Sequence, residues 1–181
     1  MMIVAGTIPA ALAGALFEDT VENALRNPQV IGAMLIVMAL ILVVAEIVGQ
    51  RKKTLQELSW SDAITIGIAQ AIALVPGVSR SGSTITAGLF LNLQRDAAAR
   101  FSFYLSAPII AGAVGKKIFD ILRSGLTADQ LAPFIVGIIS AGVVGYLAIA
   151  FLMRYLQTHN TYLFVFYRIL LGIVVLLAFS S

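Results

Sequence analysis

Polar residues are scarce along this chain and fall in clumps that cut it into apolar runs. The runs are Met2 to Leu16, Val30 to Gly49, Ala63 to Leu74, Ile85 to Leu93, Phe101 to Ile121, Leu131 to Met153 and Tyr162 to Phe179. A helix that crosses a bilayer needs roughly 20 apolar residues. The third and fourth runs are too short for that, and the segment between them is polar and punctuated by glycine. Non-helical backbone at membrane depth is tolerated only where protein or a water-filled cavity surrounds it. The pattern therefore predicts an all-α, polytopic membrane protein with about five transmembrane helices and one re-entrant broken-helix hairpin at about 62–93. Residues 1–181 form a single integral membrane domain.

Within the spans, small residues recur at helical spacing at Gly6, Ala10 and Gly14, and again at Gly137, Ala141 and Gly145. Such stripes let helices approach closely. Glu18, Asp19 and Glu22 read as solvated helix-end charges, and Trp60 reads as a residue at headgroup depth. Ser61 or Asp62 is a suitable N-cap for the hairpin's first helix. Two charges interrupt otherwise apolar spans. Glu46, in the last turn of its helix, either snorkels towards the interface or faces a polar interior. Arg168, two turns into the last span, is expected to face protein or water rather than lipid.

Composition agrees with the pattern. The 181 residues are 60% hydrophobic and 12% charged, against about 45–50% and 25% in a soluble domain. The net charge of +3 does not indicate nucleic acid, because the basic residues sit in short interhelical loops, where membrane topology accounts for them. With the hairpin entering and leaving on one side, Arg51, Lys52, Lys53, Arg95, Arg100 and Arg154 share that side. Arg26, Lys116, Lys117 and Arg123 share the other, so the first side is expected to be cytoplasmic. Met1 to Leu16 lacks the basic start of a secretory signal. There is no cysteine, hence no disulfide and no thiolate metal site.

Chemistry concentrates in Val75-Pro76-Gly77-Val78-Ser79-Arg80-Ser81-Gly82-Ser83-Thr84. Pro76 and Gly77 break the incoming helix. A helix starting near Ser81 presents free N–H groups and the positive end of its dipole, a ready site for an anion. Ser79, Ser81, Ser83 and Thr84 add hydroxyls, and Arg80 adds a planar fork that can hold two phosphate oxygens. Gly77 and Gly82 allow close approach of the backbone. The expectation is recognition of phosphate or diphosphate within a membrane. The competing readings are ion or solute transport, and a hairpin whose hydroxyls only satisfy broken-helix carbonyls. The one histidine, His159, lies in a loop by a helix end and reads as a surface residue. No set of acids or histidines shows metal-ligand spacing, and no general base is evident.

The run Ala69-Gln70-Ala71-Ile72-Ala73-Leu74-Val75-Pro76-Gly77-Val78-Ser79-Arg80-Ser81-Gly82-Ser83-Thr84 resembles a signature of the undecaprenyl-diphosphate phosphatases, the bacitracin-resistance family. Ile8-Pro9-Ala10, Asn27-Pro28, Ala45-Glu46, Arg100-Phe101-Ser102-Phe103, Ala107-Pro108 and Tyr167-Arg168 extend the resemblance along the whole chain. The resemblance implies a multi-pass enzyme of the bacterial inner (plasma) membrane that removes the terminal phosphate of undecaprenyl diphosphate. That reaction regenerates the monophosphate carrier for cell-wall glycan synthesis. It also implies a divalent cation, magnesium or calcium, whose ligands are not identifiable here, and two re-entrant hairpins in an inverted repeat. Arg80 would clamp the diphosphate and, with Ser79, form the catalytic pair. Gly77, Ser81, Gly82 and Thr84 would line the pocket, with Gln70 and Glu46 as supporting groups. The partners implied are a polyprenyl diphosphate lipid and the bilayer, with a homo-oligomer left open.

The family's first hairpin, with a glutamate-rich motif and a stretch bearing serine and histidine, has no match in this chain. The resemblance covers roughly the last two thirds of a family member. This chain is therefore expected to be a fragment or a truncated homologue that hydrolyses its substrate poorly or not at all. The alternative is a non-catalytic membrane protein that binds or transports a lipid phosphate.

Overall fold

A computed structural model describes residues 1–125 and 128–179, apart from the side chains at positions 18–20, 22, 23, 124 and 128. The reading of Glu18, Asp19 and Glu22 as solvated charges lies outside the described residues. Among those residues the chain forms helices α1 (Met2–Leu25), α2 (Pro28–Val48), α3 (Trp60–Ile72), α4 (Arg80–Phe90), α5 (Arg95–Ser124), α6 (Ala128–Thr158) and α7 (Tyr162–Ala178), with a 3-10 turn at Leu55–Glu57. Residues Pro28–Val48, Arg95–Arg123 and Asp129–Thr158 are long and apolar enough to cross a membrane. Met2–Phe17 and Tyr162–Ala178 are shorter apolar helices. The fold is an all-α, polytopic membrane protein.

Helices α3 and α4 are the broken hairpin. At 13 and 11 residues and 1.5 Å per residue they are about 20 and 16 Å long, well short of a hydrocarbon core of about 30 Å. The N-cap of α3 is Ser59 rather than Ser61 or Asp62. The Ser59 hydroxyl accepts from the Asp62 N–H at 3.1 Å, and Asp62 accepts from the Ser59 N–H at 3.0 Å. This reciprocal box satisfies two end donors at once. Lys53 Nζ reaches Asp62 at 3.2 Å from the linker. In that linker the exposed Glu57 carboxyl is held below its ordinary range because the Thr54 N–H and hydroxyl donate to it.

Two crossings built on glycine set the packing. Gly6 on α1 and Gly67 on α3 touch backbone to backbone, and a Cβ on Gly67 would lie 2.1 Å from the Gly6 carbonyl oxygen. Gly32 on α2 and Gly172 on α7 form the second crossing, where a Cβ on Gly172 would lie 2.8 Å from the Gly32 carbonyl. The stripe expected on α1 is realised at Gly6 and at buried Ala10, whereas nothing approaches Gly14. Gly137 and Gly145 on α6 likewise face open space. Helix α5 begins at Arg95, six residues before its apolar run, and α6 continues past Met153 to Thr158. Polar residues at the ends extended these helices where the hydropathy pattern stopped them.

The core of α3, α4 and the start of α5 includes Ile66, Leu89, Leu93 and Leu105, all fully buried. Below it, the linker after α2 pairs with the turn after α4. The Lys53 N–H donates to the Asn92 carbonyl at 2.8 Å, and the Gln94 N–H donates to the Lys53 carbonyl at 2.8 Å. Asn92 closes α4 at φ +66°, a left-handed conformation that asparagine tolerates better than most residues.

Candidate functional site

The chain passes through the break by a series of tight turns. The N–H groups of Ala73, Leu74 and Val75 each donate three residues back, at 3.1 Å, and Val78 closes a further turn onto the Val75 carbonyl. Gly77 then adopts φ +89°, open to glycine at little cost. It lies against α2, where a Cβ would sit 2.5 Å from the Ile31 carbonyl oxygen. Helix α4 starts at Arg80 with Ser79 as N-cap, one residue earlier than the sequence pattern suggested. The Ser79 hydroxyl accepts from the Gly82 N–H at 3.1 Å and lies 3.4 Å from the Ser81 hydroxyl. Helix geometry leaves the Arg80 and Ser81 amides without acceptors inside the helix. The positive end of α4 thus faces the break, held in place by Ser83, whose hydroxyl donates to the Ala69 carbonyl at 2.5 Å.

The side chains of this terminus diverge into two cavities. Ser79, Ser81 and Gly82 line one of about 390 Å³ between α2, α4, α6 and α7, and Arg168 also lines it. Arg80 lines another, of about 460 Å³, together with Gln70, Thr7 and Lys116. Helix α4 makes the division, because consecutive residues point about 100° apart at 3.6 residues per turn. Arg80 is exposed in its cavity. Gln70 is buried, and neither its amide nitrogen nor its amide oxygen has a partner. Buried amides that lack partners are uncommon in native proteins, and that of Gln70 lines the same cavity as Arg80.

Two expected site residues lie elsewhere. The Thr84 hydroxyl is fully buried, shares a 2.6 Å hydrogen bond with Ser102 and donates back to the Arg80 and Ser81 carbonyls. It ties α4 to α5 and lines neither cavity. Glu46 faces a polar interior rather than the interface. Its carboxylate accepts from Arg51 at 2.9 Å, from Arg95 Nε at 2.7 Å and from Arg95 Nη2, and its other oxygen accepts from Thr161 at 2.8 Å. The expectation that Arg168 avoids lipid agrees with its burial. What the sequence missed was its convergence with Ser79 and Ser81, for which the signal was a lone arginine two turns into an apolar helix. Lys116 and Thr161 were missed too. His159 stacks on Tyr155 at 4.5 Å, away from both cavities.

The described residues do not fit a divalent cation. Among them no three His, Cys, Asp or Glu side chains come together, no acid lines either cavity, and Glu46 is already paired with two arginines.

Comparison with known proteins follows the same lines. A family described as bacitracin resistance protein BacA matches residues 1–174. The undecaprenyl-diphosphatase of Geotalea daltonii is 47% identical over 171 residues, covering 94% of this chain and 63% of that protein. Those of Chlorobium chlorochromatii and Thermodesulfovibrio yellowstonii are 46% and 48% identical, covering 97% and 99% of this chain and 65% and 68% of the relatives. The chain thus spans about two thirds of the length of these curated relatives.

Proposed function

This chain belongs to the bacitracin resistance protein BacA family, and from that premise we propose that its broken hairpin binds undecaprenyl diphosphate as part of an undecaprenyl-diphosphate phosphatase. The observation that carries the reading is the Ser79-capped N-terminus of α4, with two open amides, two hydroxyls and an arginine on each side. In hydrolysis of a diphosphate, water adds to the terminal phosphorus as the anhydride P–O bond breaks. Charge is spread over the phosphoryl oxygens throughout, so positioning and charge stabilisation supply most of the catalysis. Arg80 offers its bidentate fork to these oxygens. Ser79 accepts from Gly82, which leaves its own proton to donate to phosphate. Gln70, whose amide atoms are unpartnered in the cavity that Arg80 lines, would orient the terminal group. In the bacterial inner membrane the product would be the monophosphate carrier for glycan synthesis. The described residues offer the implied magnesium or calcium ion no ligand set, and no step is assigned to it.

A second reading has its own support. No acid or histidine lines either cavity, so the described residues provide binding without a proton acceptor, as in a lipid-phosphate binder or transporter. Both readings are tested on the purified 181-residue chain in nanodiscs, by undecaprenyl diphosphate binding and phosphate release. Binding that weakens about tenfold or more in Arg80→Ala, the loss of one charge-assisted contact, supports the diphosphate site. Arg80-dependent phosphate release favours the hydrolase over the binder. No binding by the wild-type chain, or binding indifferent to Arg80, overturns the assignment.

A further inference from the structure

Arg168 flanks the α4 N-terminus, but the reading above assigns it no contact with the ligand. It is 6% exposed, and no acidic side chain is paired with it among the described residues. One Nη donates to the Gly77 carbonyl at 3.2 Å, and Nε is buried with no partner. The other Nη lies against Gly82, whose missing Cβ would sit 2.3 Å from it. A cation held in the membrane interior without a counter-charge is costly and marks a functional group by default. Here it lies beside Ser79 and Ser81 at the positive end of an eleven-residue helix. Three independent sources of positive potential or hydrogen-bond donors therefore converge on one end of the 390 Å³ cavity, and an anion is their common complement.

The rest of that cavity is apolar. Leu35 and Leu42 from α2, Leu156 from α6 and Leu171 from α7 line it. A free anion has no use for this surface, whereas the chain of a lipid does. We infer that this cavity is a lipid-phosphate site: Arg168 and the α4 N-terminus grip a phosphate, and the leucine-lined part receives the polyprenyl chain from between α6 and the α2–α7 pair. The proposal rests on the reading of the hairpin as a diphosphate site. It assigns the lipid-linked part of the ligand to the Arg168 side of α4, opposite the cavity that Arg80 lines. A Cβ on Gly82 would lie 2.3 Å from the guanidinium, so a side chain there must displace the tip of Arg168.

The test measures binding of farnesyl diphosphate, farnesyl monophosphate, farnesol and inorganic diphosphate to the purified chain in phosphatidylcholine nanodiscs. Arg168→Gln is expected to weaken both phosphorylated lipids by about 30-fold, the loss of a charge-assisted grip. Arg168→Lys should retain most of the affinity, because the charge remains. Farnesol binding should change by less than about threefold in both variants, since no charge is involved. Leu171→Trp, which fills the apolar part, should weaken farnesyl diphosphate and spare inorganic diphosphate. Arg154→Gln, a basic residue outside both cavities, serves as a control that leaves binding unchanged.

Thermal midpoints of all variants separate loss of grip from loss of fold. Equal loss of farnesol and farnesyl phosphate in Arg168→Gln, with a lowered midpoint and no rescue by lysine, would make Arg168 a prop for the Gly77 carbonyl and overturn the inference. Inorganic diphosphate binding as tightly as farnesyl diphosphate would overturn its lipid part. Loss of binding in Arg80→Gln but not in Arg168→Gln sinks this inference alone and leaves the hairpin reading standing. No binding by the wild type sinks both.

Discussion

Two charged groups sit deep in this protein, and they are treated in opposite ways. Glu46 is surrounded: two arginines and a threonine take up its carboxylate, and the cluster draws together α2, α5, the linker after α2 and the residue that precedes α7. Arg168 is exposed to much the same degree, 6% against 3%, yet it has no counter-ion among the described residues and an unpartnered Nε. Burial alone does not distinguish them; satisfaction does. A buried charge whose hydrogen bonds are all made within the fold belongs to the fold. One that the fold leaves incomplete is held for something else. Thr161 joins the two regions, because its hydroxyl donates to Glu46 while the residue lines the cavity of Arg168.

The contrast predicts its largest effect at Glu46. Glu46→Gln leaves Arg95 and Arg51 facing each other without a carboxylate. Removing one partner of a buried pair typically costs 3–5 kcal/mol, and the partial exposure of both arginines places this case near 3 kcal/mol. The thermal midpoint of the detergent-solubilised chain should fall clearly, while the surviving folded fraction binds lipid diphosphate normally. The double variant Glu46→Gln/Arg95→Gln should recover part of the loss. If Glu46→Gln proves as stable as wild type, the cluster does not hold the helices together and the comparison fails at its first term.

How much of this could be read from the chain follows the range of the interactions. The spans and the broken hairpin were legible because hydropathy and Pro76-Gly77 act locally. The N-cap was misplaced by two or three residues, since Ser59, Ser61 and Asp62 all have capping side chains and only packing selects among them. The ionic cluster was not legible: Glu46 and Arg95 lie 49 positions apart, and nothing in the sequence pairs them. The anion chemistry of the hairpin was legible in its residue types. Its division was not, because whether Ser79 and Arg80 face the same cavity depends on where α4 begins and how it is rotated against α2 and α5. The stripe on α6 shows the converse limit, since small residues permit close packing without supplying a partner.

A smaller effect is expected where the two regions meet. Thr161→Val removes one donor from an otherwise well-paired carboxylate, and hydrogen bonds to charged groups contribute about 1.5–3 kcal/mol. Because two arginines remain, the midpoint should drop by the lower end of that range. Lipid-phosphate affinity should stay within about threefold, a change of less than 1 kcal/mol. A loss of affinity larger than the loss of stability would show that the Glu46 cluster tunes the cavity as well as the fold. Ser79→Ala comes next. It deletes the N-cap of α4, at about 1 kcal/mol, and should weaken diphosphate binding as well, because the same hydroxyl serves both the helix and the cavity. Thermal midpoint and binding measured on one preparation check the pair.

The smallest change in stability is expected at Arg168, and it tests the comparison most directly. Arg168→Met keeps a long, flexible side chain that can fill the same space. It loses the hydrogen bond to the Gly77 carbonyl, which contributes about 1.5–3 kcal/mol if counted as a bond to a charged group. It also removes a buried cation that lacks a counter-charge, and replacing poorly compensated buried charge with apolar volume is often neutral or stabilising by about 1–4 kcal/mol. The two terms oppose each other and are of similar size. The midpoint should therefore move little in either direction, while affinity for phosphorylated lipid collapses. Such a separation of stability from binding is what a group retained for a ligand produces. A fall in stability as large as that of Glu46→Gln would place Arg168 with the structural charges, and the distinction between satisfied and unsatisfied burial would not hold in this protein.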